Sequence, residues 1–191
     1  MQKDKLILKA KKIYWGLTPE VMQWNQAITF SIPGRIGEFF RARYALKHFK
    51  NCGDKIKIYP HVKIYNPQNL TAGGGIVISD YVQISAGGVI TLGSRVILGP
   101  FVKVWSINHR YERLDIPIWE QGWTTNPVFI EDDVWIGMGS IILPGTHIGK
   151  GSIVSAGSVL RKQSINPYSI IAGNPGQVVG YRNSSKDSYV A

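Results

Sequence analysis

The sequence predicts a mainly β protein whose chain winds round a three-sided prism, one short strand to each side. Three observations predict it. From Ile130 an aliphatic residue recurs at every sixth position, through Ile136, Ile142, Ile148, Val154 and Leu160. Four residues after each of the first five stands a second small or β-branched residue: Val134, Ser140, Thr146, Ser152 and Ser158. Residues suited to corners are plentiful, with 21 Gly and 10 Pro in 191 residues. A period of six fits neither the 3.6 of an α-helix nor the 2.0 of a simple amphipathic strand. It fits one hexad per face, with the aliphatic residue pointing to the axis and Gly, Asp and Pro turning the corners. Successive coils then stack as parallel strands about 4.8 Å apart. A lumen that narrow excludes aromatic side chains from the inward positions.

Residues 1–51 precede the repeat. Arg35 to Lys50 reads as a helix with Ile36, Phe39, Phe40, Tyr44 and either Leu46 or Phe49 near one stripe and Arg and Lys opposite. Asn51-Cys52-Gly53 is expected to cap its end. Trp15, Trp24 and Phe30 suggest further packing in this segment. The repeat occupies 52–171. Cys52, Ile58 and Ile64 are six apart, as are Ile78, Ile84 and Ile90, and again Leu92, Leu98 and Val104. The phase slips by two residues between Ile90 and Leu92 and once between Ile64 and Ile78, where a coil is expected to bulge. Residues 109–127 break the period for 19 residues, too long for an idle connection in a compact domain. Tyr111, Trp119, Trp123 and Pro117 argue for an ordered loop. Residues 172–191 form a terminal turn and tail.

Charge is unevenly placed. Residues 1–63 carry 13 Lys and Arg against 4 Asp and Glu, and the remainder 9 against 8. Such a basic end suits anionic lipid, a phosphorylated substrate or plain solubility; no nucleic-acid-binding motif accompanies it, and no nucleic-acid partner is expected. The single cysteine, Cys52, gives neither a disulfide framework nor a metal cluster. Met1 to Lys12 has no apolar stretch of signal-peptide type behind it, and no run of 18 apolar residues occurs. The expectation is a cytoplasmic protein, placed at the inner face of the membrane if the basic end meets lipid.

The hexads VWIGMGSIILPGTHIGKGSIVSAGSVL, followed by PYSIIAGNPGQVV, resemble the hexapeptide-repeat acyltransferases, most of all their sugar and polysaccharide O-acetyltransferase branch. The likeness covers roughly residues 33–182. It implies a left-handed parallel β-helix, an exception to the usual crossover hand, assembled as a homotrimer with active sites between subunits. It also implies acetyl-coenzyme A as donor, no metal, and a catalytic histidine at the start of the long loop. That histidine is His109 in SINHRY.

Acetyl transfer to a hydroxyl needs a base for the leaving proton, a stabilised oxyanion and a held pantetheine arm. Histidine suits the first because its ordinary pKa, about 6.5, lies near working pH. Of the four histidines, His48, His61 and His147 read as surface residues, which leaves His109. Asn108 can orient the imidazole or serve only as a turn residue. Glu112, Asp115, Glu120 and Gln121 can bind sugar hydroxyls, and Trp119 and Trp123 can stack on a sugar or anchor the loop. By resemblance, Trp135, Met138, Ala156 and Gly157 line the pantetheine path, and Arg161, Lys162 and Arg182 meet the nucleotide phosphates. Gln177 and Gly180 stand where relatives often carry arginines. The alternatives are an antibiotic-modifying acetyltransferase and a non-catalytic scaffold. A metal-dependent hydratase on the same prism needs three histidines that this chain does not supply.

Overall fold

A computed structural model describes residues 20–182 and shows the expected left-handed parallel β-helix of about six turns behind two helices. Face A stacks Asn51–Cys52, Leu70–Ala72, Ile90–Leu92, Val128–Ile130, His147–Ile148 and Ser164–Ile165. Face B stacks Lys57–Ile58, Val77–Ile78, Ile97–Leu98, Trp135–Ile136, Ile153–Val154 and Ser169–Ala172. Face C stacks Lys63–Tyr65, Gln83–Ser85, Lys103–Trp105, Ile141–Ile142 and Val159–Leu160. Every pairing between successive coils is parallel. On face B, Ile58, Ile78, Leu98, Ile136, Val154 and Ile171 lie directly above one another. All six are fully buried, and each contributes about 2 kcal/mol of apolar burial. Val134, Ser140, Thr146, Ser152 and Ser158 are buried as well. The hydroxyls accommodate themselves by bonding backbone carbonyls, as Ser140 does to Ser155 and Thr146 to Leu143 and Arg161.

The two phase slips fall on face A. There Leu70 and Ala72 both point inward, as do Ile90 and Leu92, and Val128 and Ile130 after the long insertion. Side chains alternate along a strand with a period of two, so an insertion of two residues widens the face without turning its hydrophobic set outward. At the carboxyl end Gln177–Tyr181 pairs antiparallel with Ser169–Ala172 and closes face B.

An exposed first coil would leave strand edges open to pairing with other chains. Two helices cover it: α1, helical over 20–31, and α2, Gly34–His48. The Gln26 amide donates to Ile64 O (2.9 Å) and accepts from Ile64 N–H (3.1 Å), standing in for a neighbouring strand on face C. Arg41, only 2% exposed, donates to Ile58 O on face B (2.6 Å) and to Ile32 O. Phe30 packs edge-on against Tyr44, whose hydroxyl accepts from Gln26.

This layer corrects two expectations. The side of α2 turned to the coil carries Gly37, Arg41, Tyr44 and Ala45, whereas Ile36, Phe39, Phe40 and Leu46 face outward and are exposed. The helix has the right apolar stripe but presents it to the outside; of the expected stripe only Tyr44 and the flanking Phe49 are buried. Nor does Asn51-Cys52-Gly53 cap it. Phe49, in extended conformation with its N–H on Ala45 O, ends the helix, and Asn51–Cys52 is already the first strand of face A. Trp24 is exposed, Phe30 buried, and Trp15 lies outside the described residues.

Among the other histidines, His61 is exposed and stacks on Tyr81, and His48 is half-buried against Tyr44. His147 is half-buried rather than free on the surface: its Nε2 lies 2.8 Å from Glu131 Oε1, while Glu131 Oε2 accepts the Lys150 N–H at 2.8 Å. The Lys150 N–H first, and His147 second, hold the Glu131 carboxyl below the usual carboxylate range. The folded chain therefore releases this proton more readily than the unfolded one. The resulting stabilisation is present above the unfolded pKa and is lost as pH falls through the lowered folded value. Glu131→Gln is expected to lower Tm at pH 7 and to flatten the fall of Tm between about pH 5 and pH 2, read by thermal melts across that range. A mutant curve parallel to wild type would refute it.

Candidate functional site

The 19-residue break is not a loose loop but a hairpin arm. Ile107–His109 runs antiparallel to Trp123–Thr125, with Ile107 opposite Thr125 and His109 opposite Trp123. Asn126 N–H closes the root on Ser106 O at 3.0 Å, and Arg110 clamps the return strand through Gly122 O and Trp123 O. The arm leaves the coil at the corner between faces C and A. Directly opposed residues of an antiparallel pair share one side of the ribbon, so the His109 ring lies against Trp123, centroids 3.7 Å apart and 34° between planes. Trp123 is thus the anchor of the two tryptophans. Trp119, on the short 3₁₀ turn Ile118–Glu120, is 86% exposed.

The arm rests on two residues of the coil below, a foundation that the period gave no reason to single out. A Cβ on Gly87 would stand 2.7–2.9 Å from Ile107 Cδ1, Cβ and Cγ2, and one on Gly88 would stand 2.8 Å from Ser106 O. Gly88 N–H also donates to Ser106 Oγ (3.0 Å), which itself donates to Ser85 O. Side chains here would lift the arm and move His109. Gly87→Val is expected to reduce turnover at least about tenfold with a circular dichroism melt still showing one cooperative transition. Unchanged turnover would show that the arm root does not position the histidine.

The remaining candidates distribute as follows. Asn108 Oδ1 accepts the His109 backbone N–H (2.9 Å), so in this state it braces the strand and not the imidazole. Glu112 accepts from Tyr111 N–H, and Asp115 is held by Arg113 in a two-pronged ion pair whose hydrogen bond keeps its carboxyl below the usual range. Gln121 ties the arm's tip together through Arg113 and Ile116. On the corner between faces B and C lie Met138, Ala156 and Gly157, all exposed, with Trp135 exposed on the adjoining face B. Gly139 and Gly157 have φ of +70° and +71° on that corner, and a Cβ on either would meet nothing within 4 Å. The corner is therefore an open ridge of bare backbone, the surface that an extended, slender ligand can approach closely.

Arg161 and Lys162 sit exposed on the C–A corner, the same edge from which the His109 arm springs. Arg182 departs from expectation. Its guanidinium is engaged on the A–B corner by Gly151 O (2.6 Å) and Asp133 (3.2 Å), away from both groups. One chain thus carries the imidazole and two cations on one edge and the bare ridge on another. Among the described residues no group of three or more His, Cys, Asp or Glu is arranged to hold a metal.

Comparison with known proteins gives the following. The family model described as bacterial transferase hexapeptide (six repeats) matches residues 127–162. A probable acetyltransferase of Mycobacterium tuberculosis is 30% identical over 151 residues, 78% of this chain and 48% of that protein. A putative acetyltransferase of Dictyostelium discoideum is 36% identical over 138 residues, 69% of this chain and 67% of that one. The chain spans about half the length of the mycobacterial relative. Among solved structures, a hexapeptide-repeat acetyltransferase of Vibrio cholerae complexed with acetyl coenzyme A superimposes with a TM-score of 0.75, at 25% identity, over 85% of this chain and 86% of that one. A maltose O-acetyltransferase of Clostridium difficile shares the fold with a TM-score of 0.79 at 24% identity, over 86% of each chain.

Proposed function

The chain belongs to the hexapeptide-repeat bacterial acetyltransferases, and on that footing we propose that it moves acetyl from acetyl-coenzyme A to a hydroxyl of a sugar, with His109 as general base. The observation that carries the reading is His109 itself, held by a hairpin root and an indole at the edge of the prism. The acceptor hydroxyl gives its proton to the free ring nitrogen of a neutral imidazole as its oxygen attacks the thioester carbonyl carbon. The tetrahedral oxyanion then collapses, the carbon–sulfur bond breaks, and the proton passes from imidazolium to the departing thiolate. No covalent enzyme intermediate is required.

Donor binding fits the B–C ridge: Gly139 and Gly157 leave bare backbone for a pantetheine arm, and Trp135 and Met138 border it. In the Vibrio cholerae relative, acetyl coenzyme A is the bound ligand named. Since the imidazole stands on a different edge, a complete site forms when the C–A edge of one subunit faces the B–C edge of the next, which a homotrimer of parallel prisms provides. Arg161 and Lys162 then join the phosphate end from across the interface. Trp119, Glu112 and Asp115 at the projecting arm are the groups nearest to hand for a sugar acceptor, exposed aromatic and carboxylate being the usual pair for such a ligand.

We place the reaction in the biosynthesis of bacterial surface polysaccharide, on the cytoplasmic side. The test is thiol release from acetyl-coenzyme A over a panel of free, nucleotide-linked and lipid-linked sugars. Stimulation by a sugar class supports the reading. Equal, acceptor-independent hydrolysis throughout the panel removes it.

A further inference from the structure

An amphipathic helix at the end of a soluble prism should bury its apolar stripe, and α2 does the reverse. Ile36 is 68% exposed, Phe39 62%, Leu46 53% and Phe40 46%, all on the side opposite Arg41. Helix α1 adds a second outward stripe, Val21, Trp24 and Ile28, with Trp24 at 69% exposure. The two stripes meet across a groove of about 620 Å³ to which Ile28, Ile32, Phe40 and Leu46 contribute, with Arg43 and Lys47 at its rim. Arg35 and Lys50 extend the positive border, and all four cations are exposed. Within residues 20–50 only Glu20 and Glu38 are acidic. Polypeptide surfaces rarely leave so many large apolar groups uncovered without a partner.

We infer that this helical face docks on an anionic lipid bilayer. A protein partner would require shape complementarity to a groove flanked by scattered aromatics. A bilayer interface requires only what is present: Trp and Phe to enter the headgroup boundary, aliphatic side chains beside them, and Arg and Lys at the border to meet anionic headgroups. The charge supports that occupant over an uncharged one, because the border is positive on both helices' outer side and the apolar patch interrupts no salt bridge. Docking through the base of the coil leaves the His109 arm and the glycine ridge along the sides of the prism free. The inference concerns where the protein sits and does not depend on acetyl transfer. If the proposed function holds, it brings the site within reach of lipid-linked acceptors.

The experiment is co-sedimentation of the full chain with vesicles of phosphatidylcholine alone and of phosphatidylcholine with one quarter phosphatidylglycerol, in 0.1 and 0.5 M NaCl. Binding to the anionic vesicles is expected to exceed binding to the neutral ones about tenfold or more and to weaken with salt. Ile36→Ser with Phe39→Ser is expected to lower it about tenfold further, without altering thiol release in the presence of a soluble acceptor. These side chains are exposed, so the variant retains its core. No sedimentation with anionic vesicles overturns the inference. So does unchanged binding by the variant, which would move the contact elsewhere. Loss of the oligomer in the variant by analytical ultracentrifugation also overturns it, since the face would then join copies of this chain. Failure here with intact thiol release leaves the enzymatic reading standing, and the reverse pattern separates the two equally well.

Discussion

Replacing His109 with alanine is expected to lower kcat/KM for acetyl transfer by about 10²- to 10⁴-fold, the range that loss of a positioned general base produces. The loss should fall mainly on kcat. The imidazole has no part in the donor ridge, so KM for acetyl-coenzyme A should stay within about threefold of wild type, as expected when an interaction made chiefly in the transition state is removed. Steady-state kinetics with the best acceptor of the panel reads both numbers. Trp123→Phe supplies the internal control: it keeps an aromatic ring under His109 and should retain more activity than Trp123→Ala, in which the imidazole loses its contact surface. A His109→Ala enzyme with nearly wild-type kcat would mean that some other group takes the proton, and the proposed chemistry would have to be abandoned.

The prism was legible because a single constraint repeats. Every coil must send a residue of the same narrow size into one lumen, so Ile136, Ile142, Ile148 and Val154 announce the fold wherever they recur six apart. Even the irregular early coils were readable: the two-residue slips at Leu70–Ala72 and Ile90–Leu92 preserve strand alternation and so widen a face instead of disrupting it. The helical end was misread for a physical reason. A stripe of Ile36, Phe39, Phe40 and Leu46 ordinarily marks the buried side of a helix, but what this helix covers is the open end of a β-coil. That end offers carbonyls such as Ile58 O, which need donors more than hydrocarbon. Arg41 and Gln26 therefore turn inward and the phenylalanines turn out. Sequence periodicity reports that two sides differ, not which one the partner prefers.

The candidate site was half legible for a related reason. A break in a strict period is conspicuous, and it exposed His109 and the arm. The pairing of His109 with Trp123 depends on the register of a short hairpin, and TRP-THR-THR opposite ILE-ASN-HIS carries no turn motif to fix it. Gly87 and Gly88 looked like ordinary corner residues, yet it is Ile107 and Ser106 above them that forbid a side chain. Arg182 was assigned to phosphate from its charge. Its actual partners, Gly151 O and Asp133, belong to a coil two turns away in sequence and are brought near only by the winding of the chain.

Mixing two inactive variants is expected to restore activity, and this is the sharpest consequence of finding the imidazole and the donor ridge on separate edges. His109→Ala removes the base from the C–A edge. Ala156→Trp places an indole on the exposed B–C ridge, where it should raise KM for acetyl-coenzyme A by about a hundredfold or more by occupying the pantetheine path. Each homo-oligomer has every site spoiled. If sites form between neighbours, a trimer assembled from equal amounts of both chains contains some interfaces in which an intact His109 edge meets an intact ridge. Random assembly makes these about one quarter of all sites, so co-expressed chains should regain about a quarter of wild-type thiol release. Native mass spectrometry confirms that mixed trimers are present, and differently tagged chains allow them to be purified away from the parents. If confirmed mixed trimers show no more activity than the two parents, both halves of the site belong to one chain, and the reading of the edges is wrong. A wild-type enzyme active in the same assay ensures that this outcome concerns the location of the site and not the existence of the reaction.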